Sequence, residues 1–184
     1  MIRMDDDLQS WKPMEPNLKR AACEGDVEFL TKAVGSGKGQ GYWLSRFTPK
    51  DCEARYAGNI LHLAVWHAKE DFVKEVIREL PEVVVSRLLR HQEPAGELHN
   101  RTPALLAIER GESLIAEILT CGSRAELIQG IVDDQGNSPL FLAVKNGLDN
   151  VVTNSLNYQG ALFIKWVGSG YQWLKVYCIE LLCK

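Results

Sequence analysis

The chain lacks any uninterrupted apolar run near the roughly 18–20 residues that a membrane helix needs. Its start, Met1-Ile2-Arg3-Met4-Asp5-Asp6-Asp7, is acidic and has no apolar core, so it does not read as a secretory signal. An excess of one charge is missing too. Lys and Arg number 21 against 24 Asp and Glu, a net charge of −3. That balance argues against a strongly basic nucleic-acid binder and gives no polybasic membrane patch. Cysteine is sparse: Cys23, Cys52, Cys121, Cys178 and Cys183 are odd in number and form no C-x-x-C pair. Reduced thiols in the cytoplasm are expected, rather than a disulfide framework or a zinc ribbon.

Signatures of chemistry are equally thin. The histidines His62, His67, His91 and His99 form no i, i+4 pair and no H-E-x-x-H. Gly111-Glu112-Ser113-Leu114-Ile115 lacks the second glycine of a nucleophile elbow. Gly35-Ser36-Gly37-Lys38-Gly39-Gln40-Gly41 fails as a phosphate loop, since Lys32 stands where its first glycine belongs and Gly39 follows the lysine. A flexible loop is expected there. Asp133-Asp134 falls at a turn and reads as a solvated, loop-shaping pair. Asn100-Arg101-Thr102 matches a glycosylation acceptor, but Thr102 reads better as a helix cap. No catalytic residue, cofactor, metal or small-molecule substrate is expected.

What is present is a repeat. Four segments align without gaps: Pro16–Val34, Asn59–Ile77, Thr102–Leu119 and Ser138–Leu156. Their first core positions are Leu18, Leu61, Ala104 and Leu140. Three and four residues on come Ala21/Ala22, Ala64/Val65, Ala107/Ile108 and Ala143/Val144, a small apolar stripe at helical spacing. Seven on come Gly25, Ala68, Gly111 and Gly147, where glycine suits a left-handed helix stop. Phe29/Leu30, Phe72/Val73, Ile115/Ala116 and Val151/Val152 then open a second apolar face. Each unit therefore reads as helix, tight turn, helix. Thr102-Pro103 and Ser138-Pro139 supply a capping hydroxyl and a proline at the first helical position, and Asn59 caps the second unit. Ala68 costs about 1 kcal/mol if its site needs positive φ. Ala104 leaves a void worth ~2 kcal/mol unless Leu105 or Leu106 fills it. The polar Asn154 and Ser155 make the last second helix the weakest expected element.

These residues resemble the ankyrin repeat. Its T-P-L-H-x-A motif corresponds to Asn59-Ile60-Leu61-His62-Leu63-Ala64, Thr102-Pro103-Ala104-Leu105-Leu106-Ala107 and Ser138-Pro139-Leu140-Phe141-Leu142-Ala143. The units are spaced more widely than the family's period of about 33 residues, so loops with extra residues are expected between them. The resemblance implies an all-α solenoid of about four helix-turn-helix units with β-turn or finger loops and an irregular C-terminal tail. It places His62 in a structural slot, bonded to backbone near the turn. Thr48-Pro49-Lys50, Gly58–His62 and Val132–Leu140 also resemble plant ankyrin-repeat membrane proteins of the accelerated-cell-death type. That family carries a C-terminal domain of membrane helices, which is missing after Leu156. A short isoform, a truncated gene model and a divergent soluble member all stay open.

The domain reading is a polar N-terminal tail over 1–15, the array over 16–156 and an aromatic-rich tail or cap over 157–184. That last segment holds Tyr158, Phe163, Trp166, Tyr171, Trp173 and Tyr177. It reads as a cap on the last repeat, an interfacial membrane segment or a read-through sequence. The resemblance implies a protein partner bound on the concave repeat face. The expected contact residues end the first helices: Glu24, Trp66, His67, Glu109, Arg110, Lys145 and Asn146. An exposed Trp beside an Arg is a hot-spot pairing, against the plainer reading that Trp66 packs under a loop. The function read is a non-enzymatic interaction module in plant stress or defence signalling, located in the cytoplasm. The alternative is a membrane-associated member at the cytosolic face of a membrane such as the plasma membrane, held by its tail or by a membrane-embedded relative.

Overall fold

The computed structural model describes residues 12–48, 57–92 and 100–159. The N-terminal acidic segment, residues 49–56 and 93–99, and the aromatic segment from residue 160 lie outside the described residues.

Eleven helices account for the described elements. They are α1 (Pro16–Glu24), α2 (Val27–Gly35), α3 (Gln40–Trp43), α4 (Ile60–Trp66), α5 (Glu70–Glu79), α6 (Glu82–Arg90), α7 (Pro103–Glu109), α8 (Ser113–Thr120), α9 (Ser123–Gln129), α10 (Pro139–Lys145) and α11 (Asp149–Gln159). The class is all-α among the described residues, with two isolated bridges, Pro13 beside Arg46 and Phe47 opposite Gly58.

Four helix pairs, α1/α2, α4/α5, α7/α8 and α10/α11, carry the repeat. The first helices pack in order, α1 on α4, α4 on α7 and α7 on α10. The second helices form a parallel layer, α2 on α5, α5 on α8 and α8 on α11. Between the layers runs one continuous core that includes Leu18, Ala21, Leu30, Leu61, Ala64, Phe72, Leu106, Ala107, Ile115, Ala143 and Val151. The alanine that recurs in each first helix is buried in all four. Its small side chain lets the helix ahead approach closely.

The four turns share one geometry. The N–H of Asp26, Lys69, Glu112 and Leu148 donates to the carbonyl of Ala21, Ala64, Ala107 and Ala143, at 2.8–3.0 Å. This six-residue return is the Schellman closure, and it needs a left-handed residue just before the donor. Gly25, Gly111 and Gly147 supply it at φ 80°, 72° and 66°, and Ala68 is forced to φ 53°. The helix starts follow the side chains too. Asn59 Oδ1 accepts from the N–H of Leu61 and His62, Thr102 Oγ1 from Leu105 and Ser138 Oγ from Phe141.

Three expectations need correction. Among the described residues the stretches between units hold helices as well as loops. α6 packs on α4, α5 and α7, and α9 on α8, α10 and α11, with α6 against α9 as a third layer. The cause is apolar spacing: Val84, Val85, Leu88 and Leu89 form one buried stripe on α6, as do Ala125 and Ile128 on α9. The segment after α2 is likewise no simple flexible loop. It forms α3, and Trp43 and Phe47 enter the core. The tail expected through residue 15 is ordered before its end, because the Met14 N–H donates to the Arg46 carbonyl at 2.7 Å and Met14 is buried. At Ala104 the neighbours Leu105 and Leu106 are both buried, as the missing leucine requires. Among the described residues no helix is long and apolar enough to cross a membrane.

Candidate interaction surface

The first helices end at matching heights because each is closed by the same turn. Their last residues therefore line up across the stack. Glu24, His67, Glu109, Arg110, Lys145 and Asn146 are exposed, and Trp66 is half-buried.

Trp66 and Arg110 meet. The Arg110 guanidinium carbon lies 4.3 Å from the centre of the Trp66 ring. A cation over an indole face is held by the ring quadrupole. Part of the Trp66 surface therefore lies under the arginine of the next unit. His67, beside it, titrates below the usual histidine range. Partial burial is the main cause, and the positive charges of Lys69 and Arg110 add to it. Lys69 lays its aliphatic stem against Gly25, where a side-chain Cβ would meet it at 3.1 Å.

Glu109 stays exposed at its helix end. Its carboxylate pairs with Arg101, whose side chain is almost fully buried. Asn146 Nδ2 donates to the Ile108 carbonyl at 3.2 Å and ties α10 to the end of α7. Lys145 stands beside that tie, exposed. Glu24 ends α1 at the far side of the row and is exposed. The structure thus joins Trp66, His67, Lys69 and Arg110 into one cluster and sets Lys145 and Asn146 next to it through α7.

His62 belongs to the scaffold. It is fully buried, and its Nε2 donates to the Arg101 carbonyl at 3.1 Å. Nδ1 then carries no proton and accepts the Asn59 N–H at 3.3 Å. The ring thus closes a capping box at the start of α4 while tying that unit to the next. Burial drives its pKa down to about 3, with a smaller push from His91. Asp133 is also a scaffold residue, and here the expectation of solvation fails. It is buried, and its Oδ1 accepts from the N–H of Gln135 and Asn137 at 2.9 and 2.8 Å. Only Asp134 of that pair is exposed. Desolvating a carboxylate is tolerated where backbone donors converge on it.

Two residues that shape this surface, one of them from beneath it, are not among the expected contacts. Lys69 lies just past the turn, outside the helix ends that were considered. Arg101 sits in the glycosylation-like triplet, where only Thr102 drew notice. An arginine directly before a capping threonine, eight residues from Glu109, is the signal that marks it. Among the described residues no three His, Cys, Asp or Glu side chains gather as a metal site.

No protein-family model matches the chain. The nuclear factor NF-kappa-B p105 subunit of Gallus gallus is 25% identical to it over 103 residues, which is 56% of this chain. The chain spans only about a tenth of the length of that relative, 10%.

Proposed function

We propose that the chain is an ankyrin-repeat solenoid of about four units and works as a non-enzymatic protein–protein interaction module. Its partner lies along the ends of the first helices, on the concave side of the stack. One observation carries this reading: four helix pairs share a single turn geometry, which sets Trp66, His67, Arg110, Lys145 and Asn146 in a row across adjoining helices. A row of side chains on rigid, stacked elements is preorganised for binding and needs little ordering when a partner arrives. The Gallus gallus relative is by name a subunit, a protein that works within an assembly, and that agrees with the reading. The finer role, an adaptor in plant stress or defence signalling in the cytoplasm, rests on the resemblance of Gly58–His62 and Val132–Leu140 to the accelerated-cell-death type.

The test is affinity capture from native extract with the wild-type chain and a Trp66→Ala/Arg110→Ala double variant. Circular dichroism must first show the variant folded. Partners captured by the wild type and lost by the variant support the face as the working surface. Partners kept by both overturn it.

A further inference from the structure

The row of helix ends is cationic where its residues cluster. Lys69 and His67 follow α4, Arg110 follows α7 and Lys145 ends α10. Arg110 lies over Trp66 at 4.3 Å, so its guanidinium is held in place before any partner arrives. A guanidinium lying on a ring uses its face, while its N–H groups point outward in its plane and can fork a carboxylate. Glu109, which precedes Arg110 in the chain, is paired with the buried Arg101. Lys69 and Arg110 both act on His67, so the two cations share one local field around that imidazole. Glu24 ends α1, the helix packed on α4.

We propose that this face binds an acidic peptide segment of a protein partner, laid across α4, α7 and α10 with carboxylates on Arg110 and Lys145. This rests on the reading of the chain as an interaction module. Spacing selects the conformation. Packed helices lie about 8–10 Å apart. A polyproline II strand brings every third side chain to one side at about 9 Å. Acids three residues apart therefore meet successive helices. Nucleic acid is disfavoured, because the whole chain carries a net charge of −3 and the field is confined to a few side chains.

The probe is a fluorescein-labelled peptide with glutamates at every third position, titrated with the full chain by anisotropy. Binding is expected to weaken as salt rises. Arg110→Gln/Lys145→Gln is expected to lose at least tenfold in affinity. Lys32→Gln, on the exposed side of α2, is expected to bind as the wild type does. In a proton NMR titration, bound peptide raises the His67 midpoint by offsetting Lys69 and Arg110. Three results overturn the proposal: equal binding by the double variant, an unmoved His67, or equal affinity for a single-stranded oligonucleotide or phosphatidylserine vesicles of matched charge. If the peptide fails but Trp66→Ala/Arg110→Ala still loses captured partners, the interaction face stands and only its acidic ligand falls.

Discussion

Two residues depart from what their surroundings ask, and each makes a measurable prediction. Ala68 holds φ 53° because the Schellman closure between Lys69 and Ala64 demands it. A left-handed alanine costs about 1 kcal/mol. Ala68→Gly is therefore expected to stabilise the chain by about 1 kcal/mol in urea unfolding. Gly111→Ala is expected to destabilise it by a similar amount, since nothing lies within 4 Å of the added Cβ and only φ 72° opposes it. His62 sets a pH dependence. The folded chain keeps its ring neutral down to about pH 3, while the unfolded chain protonates it near 6.5. Stability is therefore fully present above pH 6.5 and falls as pH drops through that window, by about 1.4 kcal/mol per unit. Between pH 7 and pH 5 the wild type is expected to lose about 2 kcal/mol more than His62→Asn, read from paired urea midpoints.

At the scale of elements, the four helix pairs were legible because small residues, caps and turn glycines recur at fixed offsets. Ala21, Ala64, Ala107 and Ala143 mark the junctions, and Asn59, Thr102 and Ser138 mark the starts. α6 and α9 were missed although the Val84, Val85, Leu88, Leu89 stripe is itself helical. A repeat-first reading treats whatever falls between units as loop, and these helices recur without a shared motif. Asn59 shows what that omission hid. Its Oδ1 caps α4, as its position before the apolar run implies, but its Nδ2 donates to the Leu88 carbonyl of α6 at 2.9 Å. It is buried at both ends of the amide. Thr102→Ala removes one cap and is expected to cost about 1 kcal/mol. Asn59→Ala also strands a buried carbonyl and is expected to cost about 2–3 kcal/mol. Thermal unfolding of the two variants side by side checks the difference, and equal losses would mean that the tie to α6 contributes nothing. The interaction row was only partly legible for a related reason. Helix-end positions follow from the repeat register, but the Trp66–Arg110 and Arg101–Glu109 pairings join side chains of different units or elements, which register alone does not reveal.

For the whole molecule the decisive feature is that contacts run between neighbours in a line. In such an array, stability is close to a sum of unit and junction contributions, so a unit with one neighbour is weaker than a unit with two. Among the described residues the fourth unit is less covered than the two before it. Phe141 and Val144 are only partly buried, whereas their counterparts Leu105 and Ile108, and His62 and Val65, are fully covered by the unit that follows. Its second helix also holds the buried Ser155 Oγ without a hydrogen-bond partner. Among the described residues, Asn146 to the Ile108 carbonyl and Asn150 to Glu117 at 2.7 Å tie it back. Amide hydrogen exchange is expected to be slowest in α4, α5, α7 and α8 and markedly faster in α10 and α11. Asn146→Ala should speed exchange in α10 and α11 while leaving α4 and α5 unchanged, because its bond lies at one junction and the junctions act separately. Uniform acceleration across all helices would instead show that the stack opens as one unit, and the linear account of its stability would then fail.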